Sequence, residues 1–258
     1  MKKYRTLQIE THTRAYCIII SYYCHSFYFQ ITQIGGGYGG KEVQSKFVSA
    51  AAGFCAQQLQ QPVRVANFRV EDMQMMGKRH AYLGKFKVAA TKDGTMKAMH
   101  IHFISDGGCT YDATFPVMDL ALLSSDNAYN VEQFLAQGDC AMTNKVTSTA
   151  FRSFGVIQTM LIVEAAIEAL AEKLGIPDDV LREKNFYQVK DYTPFGQQLL
   201  YCNLSGVWET IKETSDYEAR KKAVKEFNGK NRYKKRGIKL IPLKYGISFT
   251  FKPMNQGQ

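Results

Sequence analysis

Apolar and polar residues alternate over residues 27–34, and a period of two predicts a strand there. A glycine-rich run, Gly35-Gly36-Gly37-Tyr38-Gly39-Gly40, follows it. Over residues 41–60 the spacing turns helical, with Phe47, Ala50, Ala51, Phe54 and Leu59 recurring near one face, and Pro62 stops the run. Residues 63–70 predict a strand. Residues 82–90 and 96–104 predict two more, joined by Lys92-Asp93-Gly94-Thr95, a hairpin turn signature. Residues 159–174 predict a helix closed by Gly175 and Pro177. Residues 178–184 predict a second, with Asp178 and Asp179 at its positive end. Residues 207–227 predict a third, ended by Asn228-Gly229, and residues 238–243 and 245–251 predict strands. Helices and hairpins mix without regular β-α-β alternation, so the predicted class is α+β. Residues 1–26 show no clear period.

Composition changes this picture little. The chain has 258 residues, 45% of them hydrophobic and 22% charged, enough to bury a core and too apolar for bulk disorder. The net charge of +10 is local. Between Arg220 and Lys244 stand eleven Lys or Arg and one acid, Glu226. Such a run either covers a solvated helix and loop or binds an acidic surface. With only Phe227 and Tyr233 as aromatics it makes a poor stacking platform, so no nucleic acid is expected. The six cysteines are scattered and form no Cys-x-x-Cys pair. That argues against a zinc site, a local iron–sulfur site and a disulfide framework, and for free thiols in a reducing compartment. No segment reaches the length of a membrane span, so no membrane is expected and the cytoplasm is the predicted location. His100 and His102 share one strand face, but no third metal ligand is near them in sequence.

The glycine run joins a predicted strand to a predicted helix, where free backbone N–H groups and the helix dipole favour an anion. Gly35-x-Gly37-x-x-Gly40 matches a dinucleotide-binding turn, yet no acid stands about 20 residues on to bind a ribose. Gly35-x-x-x-x-Gly40-Lys41 matches a P-loop, but Glu42 replaces the hydroxyl that would meet a metal ion.

A third reading rests on several segments together. The string Ile34-Gly-Gly-Gly-Tyr-Gly-Gly-Lys-Glu42 resembles the glycine-rich loop of xanthine dehydrogenases and aldehyde oxidases. Thr149-Ala-Phe-Arg-Ser-Phe-Gly155 resembles a second segment of that family. Gly77-Lys-Arg-His80, Arg182-Glu-Lys-Asn185, Lys235-Arg-Gly-Ile-Lys-Leu-Ile-Pro242 and Gly246-Ile-Ser-Phe-Thr250 resemble others, in order, from about residue 31 to residue 256. The resemblance implies a partial molybdenum-cofactor-binding domain over residues 27–258, truncated at both ends, behind a non-family segment 1–26. It implies hydroxylation of a purine, another heteroaromatic ring or an aldehyde, with water as the oxygen source. The cofactor carries the hard chemistry, and the protein supplies position and charge.

Residue by residue, the resemblance places Gly37, Tyr38, Gly39 and Arg152 against the molybdenum cofactor. Tyr38 and Arg152 would lie near the metal without ligating it through their side chains. Phe154 and Phe249 match the pair that sandwiches a flat substrate, and Thr250 a hydroxyl that reaches it. Glu42 matches a glutamate that binds purines, while Leu120 falls where xanthine-oxidising enzymes carry an arginine. Leucine cannot donate to a developing oxyanion, so the substrate pattern is mixed.

The family's general base is a glutamate in a Gly-Glu-Pro-Pro setting, and no Gly-Glu-Pro occurs in the 258 residues. No catalytic residue is therefore assigned, and the chain is expected to be inactive alone. The 2Fe-2S clusters and FAD of the family would sit on other domains. The expected partners are the substrate, the remaining hydroxylase domains or a partner subunit, and a second copy in a full-length homodimer. Two alternatives stand beside this reading: a subunit of a split hydroxylase, and a non-catalytic basic interaction module using the run from Arg220 to Lys244.

Overall fold

The computed structural model describes residues 36–246 in full and the backbone of residues 19–23 and 26–30. Strands β1 (Ile19–Tyr23) and β2 (Ser26–Gln30) pair antiparallel, with Ile19 opposite Gln30 and Tyr23 opposite Ser26. The predicted strand 27–34 thus appears as β2 over its first residues, and residues 31–35 lie outside those described. β1 falls in a stretch where no strand was expected.

By internal contacts the chain divides into two units. The first comprises Met1–Ala81, Ser105–Val117 and Cys140–Phe154. The second comprises Tyr82–Ile104, Met118–Asp139 and Gly155–Gln258.

In the first unit, helix α1 (Ser45–Leu59) follows the glycine loop and ends at Gln60, whose backbone is left-handed. Its buried face is Ala52, Gly53 and Ala56, with Val63 and Val65 packed on the two alanines. The larger residues that set the predicted period, Phe47, Phe54 and Leu59, are exposed. Residues 63–70 form no strand: Arg69–Met75 is helix α2, with Glu71 and Asp72 in its positively polarised first turn. Lys41 and Asp72, both nearly buried, form an ion pair at 2.7 Å between the glycine loop and α2.

A three-stranded sheet has the order β3 (Tyr82–Ala90), β4 (Met96–Gly108), β5 (Gln133–Met142). The turn from β3 to β4 closes with Thr91 N–H donating to Thr95 O at 3.0 Å and Gly94 at φ +89°. Burial alternates along β4: Met99, Ile101 and Phe103 are buried, while His100 and His102 share the other face. Each histidine has its own partner on β5, His100 with Gln137 at 2.8 Å and His102 with Asp139 at 2.7 Å. β5 was not predicted. Gln133-Phe-Leu-Ala-Gln-Gly-Asp-Cys-Ala-Met holds no β-branched residue and has a glycine in its interior. That glycine, Gly138, admits Met118 Sδ, which would stand 2.4 Å from an added Cβ. Met118 lies on helix α3 (Thr114–Leu123), also unpredicted, because its apolar residues surround it and show no period.

In the second unit, helix α4 (Val156–Leu174) starts three residues earlier than predicted and ends at left-handed Gly175, whose N–H caps Ala171 O and Glu172 O. Helix α5 (Asp178–Lys184) matches its predicted bounds. The single helix expected over residues 207–227 is two, α6 (Leu204–Thr214) and α7 (Tyr217–Lys230), broken where Asp216 turns left-handed at φ +49°. Residues 238–246 form no strand, and residues 247–251 lie outside those described. The core of this unit gathers Ile101, Phe103, Tyr129, Val163, Ile167, Leu181, Phe186 and Trp208. Among the described residues no helix is long and apolar enough to cross a membrane.

Candidate functional site

The glycine loop is shaped by three left-handed positions in four residues: Gly36 at φ +113°, Tyr38 at +48° and Gly39 at +85°. Glycine adopts such angles freely, whereas Tyr38 is strained there. The loop then winds into α1, with Lys41 N–H donating to Gly37 O at 3.3 Å and Glu42 N–H to Gly39 O at 3.0 Å. The turn folds the Tyr38 ring back over Gly36, where an added Cβ would meet it at 2.3 Å.

A second segment, residues 147–154, lies directly against this loop. An added Cβ on Gly39 would stand 2.4 Å from Ala150 O and 3.0 Å from Phe151 N. The two backbones are therefore in contact, and only glycine permits it. Lys78 pairs with Ser148 in a parallel bridge, and Thr149 N–H donates to Lys78 O at 2.8 Å. Arg79 adds a second tie: its guanidinium stacks 4.7 Å from the Phe151 ring centroid and donates to Ser153 Oγ at 3.2 Å. The segment closes in three consecutive left-handed residues, Ser153, Phe154 and Gly155, before α4 begins. A phenylalanine in that region is uncommon, and such strain clusters at functional sites.

Within this arrangement Arg152 is exposed, and its guanidinium sits 5.7 Å from the centroid of the exposed Tyr38 ring. Phe154 is half-buried, its N–H donating to Phe151 O at 2.7 Å. Gly37 is half-buried and Glu42 exposed. The first unit thus brings Gly37, Tyr38, Gly39, Glu42, Arg152 and Phe154 into one body. Leu120 lies half-buried on α3 within the second unit. Phe249 and Thr250 lie outside the described residues.

Three ionisable residues of the first unit, Asp112, His80 and Asp106, stand close to these segments, and of them only His80 falls in a recognisable string. Asp112 accepts from Gln44 Nε2 at 2.7 Å and from Thr149 Oγ1 at 2.5 Å. His80, buried, bonds Thr114 Oγ1 at 2.8 Å; its burial lowers the imidazole pKa, against the opposing pull of the Asp112 and Asp106 carboxylates. Asp106 is held down at a pKa of about 2 by Lys145 and Thr143. Thr149 sits inside a recognisable segment, but Gln44 and Asp112 offer no signal in the sequence, because their partners lie 68 and 37 positions away. Among the described residues no group of three or more His, Cys, Asp or Glu side chains is placed to hold a metal ion.

Comparison with known proteins identifies the family. The profile of the molybdopterin cofactor-binding domain matches residues 4–186. Xanthine dehydrogenase of Oryza sativa subsp. japonica is 41% identical over 224 residues, which cover 87% of this chain and 16% of that protein. Xanthine dehydrogenase/oxidase of Gallus gallus is 40% identical over 227 residues, 88% of this chain and 17% of that one. The chain thus spans about a sixth of the length of these relatives. Among solved structures, the aldehyde oxidoreductase of Desulfovibrio gigas superposes with a TM-score of 0.63 at 30% identity, over 77% of this chain and 21% of that one. The CO dehydrogenase of Oligotropha carboxidovorans does so with a TM-score of 0.66 at 26% identity, over 76% and 25%. The chain belongs to the molybdopterin cofactor-binding domain family, in the form that domain takes among xanthine dehydrogenases and aldehyde oxidoreductases.

Proposed function

We propose that the chain supplies one wall of the molybdenum site of a hydroxylase, binding cofactor and substrate without turning over alone. The contact of Gly39 with Ala150 O supports this most, because it sets a side-chain-free loop beside the segment that carries Arg152. The residues fit an anionic, phosphate-bearing group: the loop offers backbone close to its surface, the α1 N-terminus a positive dipole end, and Arg152 an exposed guanidinium. When bound, the molybdenum cofactor supplies hydroxylation of a carbon with oxygen taken from water.

The chain's own residues bind and orient. Gly37, Tyr38 and Gly39 present backbone to the cofactor, and Arg152 holds a polar or anionic group near the metal; neither Tyr38 nor Arg152 ligates it. Phe154, with Phe249, takes the two faces of a flat substrate, since offset and edge-on ring packing orients a planar molecule. Thr250 and Glu42 give it polar contacts. Leu120 removes the donor that a purine oxyanion would need, so a less polar heterocycle or an aldehyde fits better than xanthine. The general base, the 2Fe-2S clusters and the FAD would come from further hydroxylase domains or from a partner subunit. The complete enzyme would be a cytoplasmic homodimer.

The test is reconstitution of the purified 258-residue chain with molybdenum cofactor, followed by assay of bound molybdenum and pterin fluorescence. The wild type is expected to retain both near one-to-one. Gly39→Ala, which drives a methyl group into Ala150 O, is expected to retain neither. Arg152→Met, exposed and harmless to the fold, is expected to weaken retention about tenfold or more by loss of a charged hydrogen bond. Absence of pterin from the wild type, or equal retention by Arg152→Met, would sink the proposal.

A further inference from the structure

Asp112 lies in the turn that leads from β4 to α3, with its backbone left-handed at φ +41°. Aspartate tolerates that region better than most residues, but it is not free there. Its carboxylate has two oxygens, and each meets a different arm of the site. Oδ2 accepts from Gln44, the residue just before α1, two positions after Glu42. Oδ1 accepts from the buried Thr149, three positions before Arg152.

The packing around the carboxylate makes the double bond possible. Gly77 has no side chain, and an added Cβ would stand 2.2 Å from Thr149 Cγ2 and 3.3 Å from Gln44 Cγ. A larger residue there would displace Thr149 and crowd Gln44. The loop has a second anchor, Lys41 to Asp72. That anchor ties the loop to α2, whereas Asp112 also reaches the Arg152 segment.

We infer that Asp112 is a positioning residue: it fixes the glycine loop and the Arg152 segment at one separation, and so sets the width of the cofactor wall. The role in cofactor binding rests on the function proposed above, while the clamp itself does not. Binding and catalysis are sensitive to misplacement on the scale of an ångström, so a clamp between the two arms matters more than the bonds it makes.

The experiment is hydrogen–deuterium exchange on the 258-residue chain, wild type against Asp112→Ala and Asp112→Asn, over peptides spanning residues 36–46, 145–155 and 156–174. Asp112→Ala is expected to raise exchange about tenfold in both of the first two windows and to leave the third unchanged. Asp112→Asn keeps a carbonyl for Thr149 and offers its amide to a rotated Gln44, so exchange is expected within about threefold of wild type. Gln44→Met and Thr149→Val each cut one bond and are expected to raise exchange in their own window first. This keeps the test decisive if Asp112→Ala fails to fold. Cofactor retention is expected to fall in Asp112→Ala and to return in Asp112→Asn. A rise in one window only, a uniform rise along the chain, or an Asn variant that behaves as Ala overturns the clamp. If the wild type retains no cofactor, the proposed function fails and exchange still decides the clamp. If it retains cofactor and Asp112→Ala exchanges as wild type does, the clamp fails and the function stands.

Discussion

His80 is a residue of the first unit whose chemistry the fold alters. Burial lowers its pKa, and the neighbouring carboxylates of Asp112 and Asp106 only partly oppose that. The folded state therefore keeps the imidazole neutral to a lower pH than the unfolded chain, which takes up a proton near the ordinary histidine value of about 6.5. Below that value the unfolded state binds more protons, so the stability contributed by His80 is present above about pH 6.5 and drains away as pH falls toward the folded pKa. Urea denaturation at about pH 7 and about pH 5.5 is expected to show a smaller loss for His80→Gln than for wild type. Equal losses would mean that the imidazole is not what titrates. At this scale the sequence is legible where residues sit in strings: Gly37, Tyr38, Gly39 and Arg152 stand in two short segments that the fold brings into one unit, and the cofactor role proposed for them rests on those strings. Asp112 was not, because a single aspartate after Tyr111 has no local signature, and its meaning comes from Gln44 and Thr149.

At the scale of elements, the sequence was readable wherever a period or a cap was clear. α5 begins with two acids and ends before Asn185, and α4 stops at Gly175; both ends follow from backbone chemistry in reach of the sequence. The misses share a physical cause. β5 lacks the branched residues that mark strands, α3 is apolar on every side, and the break between α6 and α7 falls at Ser215-Asp216, where neither glycine nor proline announces it. Asp216 takes φ +49° without a side-chain cap. Asp216→Gly is therefore expected to stabilise the chain by about 1 kcal/mol, read as a rise in thermal midpoint. A fall would show that the aspartate side chain holds the break together.

For the whole molecule, the informative feature is how much positive charge is used inside. Arg182 is fully buried, with Nε donating to Glu164 at 2.9 Å, Nη1 to Asp178 at 2.5 Å and Nη2 reaching Glu168 at 3.5 Å. Glu164 also accepts from Asn127 at 2.9 Å and from the Tyr129 hydroxyl at 2.7 Å. Arg182→Met would leave the buried Glu164 carboxylate without its cation and is expected to cost about 3–5 kcal/mol in urea unfolding. Adding Glu164→Gln is expected to return part of that loss, and strict additivity would show that the pair is not coupled. Lys239 of the basic run joins this network at Glu168, 2.5 Å away, while Lys221 meets Asp179 at 2.5 Å and Lys244 meets Asp126. Arg236 stacks 3.9 Å from the Phe227 ring. With Lys235 donating to Asn228 O and Arg232 over the Tyr233 ring, six of the eleven cations that suggested an acidic partner are occupied within the second unit, which favours a solvated helix and loop.

Asn127 uses both ends of its amide on residues far downstream, donating to Pro242 O at 3.0 Å and accepting from Lys244 N–H at 3.1 Å, 115 and 117 positions away. Contacts so distant in sequence close long loops before they return any energy, and they delay folding. During synthesis, which adds about 5–20 residues each second, that amide waits several seconds for its partners. The second unit cannot finish folding until residue 244 has left the ribosome.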